Sequence, residues 1–310
     1  MVHISTNIKL FRLISPVVWI IKIIGRYNPT LIVRVRYFLR FKKRLHLDNP
    51  TTLNEKILYQ SLRTDVSMRT RLSDKFAVRE YVKECGLERI LVKLYGVWKD
   101  ASLIDFSRLP SSFVLKPNHG SGNIVLVNDK TQLDVNKVVK QLNRDLKHTY
   151  GELEGGRHYY GIKPVIIAEE MLYNDSESAK YSTSIIDYKI WCFNGEAHYV
   201  WTCCNRNDDS TQVMTYDRDW NMRPEFSIFN KYYSKALPLP RPKALDQMLQ
   251  VAEILSKPFP VVRVDLYNLD GKIYFGEMTF TSLGGLMDFY TDEFQIHAGN
   301  LIDLSYEAYH

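Results

Sequence analysis

Val261-Val-Arg-Val-Asp-Leu-Tyr-Asn-Leu-Asp-Gly-Lys-Ile-Tyr-Phe-Gly-Glu-Met-Thr-Phe280 reads as two β-strands joined by a tight turn. Leu269-Asp270-Gly271 suits a three-residue hairpin loop, with glycine at the position that needs positive φ. Closing the hairpin there pairs Asn268 with Lys272. It sets Arg263 opposite Glu277, and Asp265 opposite Phe275 and diagonal to Glu277. The other face carries Val262, Val264, Leu266, Tyr274 and Met278, a set able to pack into a core. Two carboxylates and an arginine are thus gathered on one side of a ribbon. Carboxylates meeting across a sheet repel unless a cation lies between them, and Mg²⁺ uses one or two of them plus phosphate oxygens. The alternative is a solvated face with Arg263 bridging both acids, since charged strand faces usually meet water.

At 310 residues the chain has room for two or three packed subdomains, and 45% hydrophobic with 13% aromatic residues is ample for their cores. Lys and Arg number 41 against 35 Asp and Glu, a mildly basic +6 that favours anionic ligands without demanding nucleic acid. There is no repeat, no low-complexity tract and no basic run of the kind that reads nucleic acid. Cys85, Cys192, Cys203 and Cys204 lack CxxC spacing and look like reduced residues of a cytosolic protein, not zinc ligands.

Residues 1–45 are unusual. Leu10 to Ile24 is strongly apolar but is broken by Arg12, Pro16 and Lys22, is too short to span a bilayer, and has no small-residue cleavage site after it. Arg26, Arg34, Arg36, Arg40, Lys42, Lys43 and Arg44 then interleave with Leu31, Ile32, Val35, Tyr37, Phe38, Leu39 and Phe41. Two readings fit: a basic amphipathic segment lying on an anionic membrane, or helices packed on the body with snorkelling arginines. Asp48 to Asn54 is a turn and cap leading into a helix over about Glu55–Leu62.

Ser73 to Cys85 reads as one capped amphipathic helix ending at Gly86, with Lys75 in its first turn, where the helix dipole does not welcome a cation. Phe113 to Asn128 reads as two apolar strands around Asn118-His-Gly-Ser-Gly122. A small-residue loop at a strand tip brings backbone N–H groups close to phosphates, and Lys116 adds a point charge. It is neither a Walker A loop nor the dinucleotide fingerprint, and a purely structural glycine hairpin is its plain alternative. Lys163 to Leu172 is a buried strand emerging into Glu169 and Glu170, followed by a polar loop over 174–183. Asp187 to Trp201 is a hairpin on an Asn194-Gly195 type I′ turn, with Lys189, Trp191, Phe193, Glu196, His198 and Val200 on one face. Arg206 ends that strand in a second cation, and a helix over about Lys243–Leu255 leads into the opening ribbon.

In chain order the set is Lys75, Lys116 with its glycine loop, Glu169-Glu170, Lys189, Arg206, Arg263-x-Asp265 and Glu277. This order resembles the ATP-grasp superfamily, and more closely its TupA-like branch, associated with bacterial cell-surface polysaccharide synthesis. The closer likeness is carried by Asn49-Pro-Thr-Thr-Leu-Asn-Glu-Lys56, Ser73-Asp-Lys75, Val114-Leu-Lys-Pro-Asn-His-Gly-Ser-Gly122 and Gly276-Glu-Met-Thr-Phe280. It runs from about residue 40 to 305. The resemblance implies an α+β fold, with two β-rich subdomains sandwiching ATP and an N-terminal helical extension. The parts would be a basic amphipathic extension (1–50), an N-terminal α/β part (51–112), a small subdomain with the glycine loop (113–172) and a C-terminal subdomain with the metal site (173–310).

Residue by residue, the resemblance implies that Lys75 and Lys116 contact the phosphates while His119, Gly120, Ser121 and Gly122 close over them. Glu170, Met171 and Leu172 match the hinge that binds adenine, with Glu169 beside them, and Glu177 is a candidate for the ribose hydroxyls. Lys189 and Arg206 match cations facing the γ-phosphate and the acceptor carboxylate. Asp265 and Glu277 match Mg²⁺ ligands, and Arg263 the arginine that stabilises phosphoryl and tetrahedral species. The third metal position, usually asparagine, is Thr279, which puts a second metal ion in doubt.

The implied activity is an ATP-dependent carboxylate–amine ligase working through an acyl phosphate. It would join an amino acid or other amine to a uronic acid of a capsular or other surface polysaccharide, in the cytoplasm or at the inner face of the bacterial membrane. The alternatives are an ATP-grasp-type kinase of a sugar hydroxyl, a polysaccharide glycosyltransferase, for which the only Asp-x-Asp is Asp217-Arg-Asp219 in a polar turn, and a binding module. A nucleic-acid partner is not expected.

Overall fold

The computed structural model describes residues 2–4, 15–120 and 122–306, with side chains from Trp19 onward. Ser121 and the part of the apolar N-terminal stretch before Ser15 lie outside the described residues. Up to the middle of the chain the elements are β1 (Val2–Ile4), α1 (Ser15–Tyr27), α2 (Pro29–Phe41), α3 (Leu53–Arg63), α4 (Ser67–Ser73), α5 (Val78–Glu84), β2 (Leu94–Trp98), β3 (Phe113–Pro117), β4 (Val125–Val127), α6 (Val135–Asp145) and β5 (Ile166–Glu169). Then follow β6 (Asp187–Phe193), β7 (Glu196–Cys204), β8 (Thr211–Asp217), β9 (Tyr233–Lys235), α7 (Leu245–Ser256), β10 (Val261–Leu269), β11 (Lys272–Thr279) and α8 (Asp292–Asn300). They form two compact units. One comprises Met1–Ile32, Val66–Glu80 and Val92–Leu172, the other Val33–Asp65, Tyr81–Leu91 and Tyr173–His310.

The first unit is built on a five-stranded sheet in the order β1-β4-β3-β5-β2. Residues 2–4, read from sequence as part of a helical extension, instead pair antiparallel with β4. Period-2 alternation along β3 buries Phe113 and Leu115 among Val125, Val127, Ile166 and Ala168, and turns Lys116 to the half-exposed face. Val138 and Leu142 of α6, which is capped by Asp134, close that core. The helix expected over Ser73–Cys85 is shorter: α4 ends at Ser73 and α5 occupies only Val78–Glu84. Asp74 leaves helical geometry and its Oδ1 accepts from the Phe76 and Ala77 amides, so α5 begins only at Val78. An aspartate that offers local acceptors to the amides ahead of it competes with helix continuation. Lys75 therefore sits in the turn between two helices. Gly86 ends α5 at φ 73°, as its position predicts.

The second unit carries a six-stranded sheet in the order β11-β10-β6-β7-β8-β9. One face is packed by α7 and the other by an aromatic cluster that includes Trp191, Trp201, Phe289, Tyr290 and Phe294. Thr52 and Glu55 form a capping box on α3, two residues before the expected helix start.

Both hairpins of this sheet depart from the expected register. In β10–β11 the turn is two residues, Asp270-Gly271 with φ 51° and 78°, so Leu269 pairs with Lys272. A bulge between Asp265 and Leu266 then adds Gly276 to β11. This sets Asp265 opposite Glu277, Arg263 opposite Thr279, and Leu266 opposite Phe275. Phe275 joins the core and Tyr274 faces outward with Tyr267, the reverse of the expected placing. A Cβ on Gly276 would lie 2.9 Å from the Asp265 carbonyl oxygen, so the close approach needs glycine. In β6–β7 the Asn194-Gly195 turn is as expected (φ 51° and 80°), but a bulge at His198 moves Tyr199 and Trp201 to the Lys189 face and Val200 to the other.

His158, in the short turn Arg157–Tyr159 packed on α4, is fully buried; burial first, then Arg69, pushes its pKa down to about 3. The folded protein keeps this ring neutral, whereas the unfolded chain takes up a proton below its ordinary pKa of about 6.5. Its contribution is thus whole above about pH 6.5 and is lost as pH falls toward 3, by on the order of 2 kcal/mol at about pH 5. Thermal melts of the protein and of His158→Gln across that range should show a flatter pH dependence for the variant; equal slopes would remove the assignment.

Candidate active site

The face of the second unit's sheet opposite α7, the one its aromatic cluster packs against, presents two rows that cross neighbouring strands. The bulge at Gly276 aligns Glu277 of β11, Asp265 of β10 and Lys189 of β6 in one row. Thr279, Arg263 and Trp191 form the next. Asp265 is 2% exposed, and its neighbours account for that. Arg263 grips it with a planar fork, Nε to Oδ1 at 2.7 Å and Nη2 to Oδ2 at 2.8 Å, while Lys189 Nζ donates to Oδ2 at 2.5 Å. Burial alone raises a carboxyl pKa, but Arg263 and Lys189 outweigh it and hold Asp265 below the usual carboxylate range.

The cations are fixed in turn. Arg263 donates through Nη1 to Ser282 Oγ (2.6 Å) and through Nη2 to Thr279 Oγ1 (3.1 Å), with its guanidinium 5.8 Å from the Trp191 ring. Burial works against the Lys189 ammonium, yet Asp187 and Asp265 overcome it and keep its pKa above the ordinary lysine value. Asp187 also receives Arg206 Nη2 at 2.5 Å, and above all this carboxylate stabilises the half-exposed guanidinium. The structure thus brings together all three residues expected to be catalytic, Lys189, Arg206 and Arg263. Asp187 and Ser282 were not expected. Their signals are an acid two residues before a lysine on a strand, and a hydroxyl in the turn after β11.

Glu277 differs from Asp265. Its side chain is 38% exposed, it accepts the Thr279 hydroxyl at 3.2 Å, and Arg263 Nη2 stands 4.0 Å away. Among the described residues no three His, Cys, Asp or Glu side chains are grouped to hold a metal. Two hard-oxygen carboxylates directly opposite one another do fit Mg²⁺, which seldom takes an all-protein cage and completes its shell with water and phosphate. A carboxylate has about four lone-pair sites, and Asp265 uses three of them here. Thr279, with its hydroxyl engaged by Arg263 and Glu277, adds a neutral oxygen to that donor set.

In the first unit Lys75, Lys116 and the glycine loop form a second group. The Lys75 amide donates to Asn118 O and its Nζ to Gly120 O at 2.5 Å, which ties the inter-helix turn to the loop. Asn118 is the loop's anchor and was not expected. Fully buried, it donates to Lys163 O and accepts from the Val165 amide. At the tip Gly120 and Gly122 have φ of 69° and 87°, and a Cβ on Gly120 would strike the Tyr150 ring. His119 is buried with Nε2 on His148 O, and burial holds its pKa low, so it enters as a neutral ring. Lys116 donates to Glu169 Oε2 at 2.6 Å, and Arg79 holds the other oxygen at 3.1 Å. Past β5, the Glu170 amide donates to Lys93 O, whereas Met171 and Leu172 make no backbone hydrogen bond among the described residues. Glu177 lies in the second unit, exposed and paired with Lys180.

The two carboxylates should respond differently to removal. Asp265→Ala leaves Arg263 and Lys189 buried without their acid, a loss of about 3–5 kcal/mol. Glu277→Gln, at a half-exposed position, should cost under about 1 kcal/mol. Urea unfolding of both variants checks the contrast; equal losses would show that Asp265 is not the keystone.

Solved structures similar to the chain include D-alanine–D-alanine ligase from Bacillus anthracis (13% identity, TM-score 0.46, 75% of this chain and 64% of that chain) and its complex with ATP (14%, 0.42, 74% and 61%). L-amino acid ligase from Bacillus licheniformis is another (13%, 0.40, 71% and 43%). The chain spans less than two thirds of the length of each, and at these values the likeness says nothing of activity. No curated protein matches the chain. The model of the TupA-like ATP-grasp family matches residues 55–303, a span that covers most of the chain and contains the site residues named above. This chain belongs to the TupA-like ATP-grasp family.

Proposed function

We propose that the chain is an ATP-dependent, ADP-forming carboxylate–amine ligase. The observation that carries this reading is the row Lys189–Asp265–Glu277 with the Arg263 fork beside it: fixed cations next to two facing carboxylates. A carboxylate is a poor electrophile, so it must first attack the γ-phosphate of ATP. The acyl phosphate is then attacked by an amine, and phosphate leaves through a tetrahedral species. Lys189 and Arg206 would offset charge on the phosphoryl group and on the incoming carboxylate, and Arg263 would meet the oxyanion. Lys75 and Lys116 would exchange their present oxygen partners for phosphate oxygens. Met171 and Leu172 have the open backbone groups that an adenine edge requires. Asp265 and Glu277 would hold Mg²⁺, which when bound supplies charge neutralisation for phosphoryl transfer.

A covalent route through the protein has little support. Burial pushes Cys192 up to about 12 and Cys204 up to about 11, and likewise raises Cys203, which leaves these thiols unreactive near neutral pH. The glycosyltransferase alternative loses its metal motif, because Asp217 is taken by Arg223 and Asn221 within its own turn. The finer reading, an amino acid or other amine joined to a uronic acid of a surface polysaccharide, rests on the family likeness alone.

The test is turnover of ATP against a panel of uronic acids and amino acids, with products read by mass. ADP and phosphate appearing only with both an acid and an amine means ligase. A phosphorylated sugar without an amine means kinase and overturns the reading. Glu277→Gln should lower turnover by about a hundredfold or more at little cost to folding.

A further inference from the structure

The charge of this chain is divided very unevenly. Ten of its 41 Lys and Arg fall in residues 1–47, and none of its 35 Asp and Glu does. The remainder therefore carries 31 basic against 35 acidic residues, so the whole positive excess belongs to the N-terminal stretch.

Within that stretch α1 and α2 each have an anchored side and an apolar side in solvent. On α1 the anchor is Gly25, where a Cβ would lie 1.9 Å from Glu152 O; Lys22 donates to Thr149 from the same side. Opposite it, at roughly 120° to 260° around the helix, stand Trp19, Ile20, Ile23, Ile24 and Tyr27. All five are exposed, Trp19 by 65% and Tyr27 by 85%. On α2 the anchor is Val33 with Tyr37, packed on Leu45, Leu58 and Leu62. Opposite it, at roughly 140° to 240°, are Leu31, Val35, Phe38 and Leu39, also exposed. Basic side chains edge these stripes. Arg40 and Lys43 pair with Asp288 and Asp292, but Arg34, Lys42 and Arg44 are exposed with no acidic partner among the described residues.

We infer that α1 and α2 dock the protein on an anionic phospholipid surface, independently of the reaction it catalyses. Large apolar residues edged by unpaired cations, with no acid for 47 residues, match a bilayer interface: acyl chains take the stripes, and lipid phosphates take the guanidinium and ammonium groups. A nucleic acid would use the cations and leave the aliphatic stripes in water; a second copy would use the stripes and leave the cations facing each other. No helix among the described residues is long and apolar enough to cross a membrane, so the contact is peripheral.

The test is flotation of the full chain with vesicles of phosphatidylcholine alone and of phosphatidylcholine with an equal amount of phosphatidylglycerol. Binding is expected only with phosphatidylglycerol, weakened by salt. The triple variant R34E/K42E/R44E should bind at least about a hundredfold more weakly. Ile23→Ser with Phe38→Ser should also weaken binding although no charge changes, which separates insertion from simple ion exchange. These positions are exposed, and circular dichroism verifies that the variants fold. No binding to the anionic vesicles overturns the inference. So does concentration-dependent dimerisation, or capture of single-stranded DNA, that the same substitutions abolish while vesicle binding is absent.

Discussion

The second unit depends on one buried contact, the carboxylate of Asp265 held between the fork of Arg263 and the ammonium of Lys189. An ion removed from water is costly unless its partners are close and its lone pairs are used, and here both conditions are met. The consequence reaches beyond charge. Arg263 spans from its own strand to Thr279 on β11 and to Ser282 in the following turn, while Lys189 reaches in from β6. A slip of either neighbouring strand by one residue would put an apolar side chain where a charge must be matched. One acid thus sets the register of three strands and presents the face on which chemistry is proposed.

The face was legible and the register was not. A three-residue loop at Leu269-Asp270-Gly271 displaces the pairing by one residue from the real two-residue turn. The Gly276 bulge, invisible to period-2 reasoning, displaces it by one more. A shift of two restores the parity of a strand, so Arg263, Asp265 and Glu277 fall on a common face in either case. A shift of one does not, which is why Lys272 to Phe275, between the turn and the bulge, exchange sides: Ile273 and Phe275 go to the core, Lys272 and Tyr274 to the other face. The bulge at His198 misled in the same way and moved Val200. The carboxylates were readable because two local irregularities compensate at their positions.

What stayed hidden depends on contacts distant in sequence. Lys75 and Lys116 could be singled out as cations beside small residues. Asn118 could not, because it clamps the loop to Lys163 and Val165, 45 and 47 positions away. Asp187 looks like an ordinary strand-end acid until Arg206 is found beside it. Asp74 shows the opposite failure: a capped helix was read from Ser73 onward, but Asp74 lies in the turn that separates α4 from α5.

The same pattern recurs in each unit. Each buried acid near the proposed chemistry has two cations: Glu169 has Arg79 and Lys116, Asp187 has Lys189 and Arg206, and Asp265 has Arg263 and Lys189. With a single cation, turning it toward a phosphate would strand a carboxylate away from water, at several kcal/mol. With two, Lys116 can swing to an anionic ligand while Arg79 keeps Glu169 compensated, and Arg206 can do so while Lys189 holds Asp187. The cations most buried and most tightly forked, Arg263 above all, are the ones that stay. Lys75 donates to the neutral carbonyl of Gly120, so turning it toward a ligand would strand no carboxylate there. Within each unit the arrangement therefore separates fixed cations from movable ones, which is what the proposed uptake and release of a highly charged ligand would require.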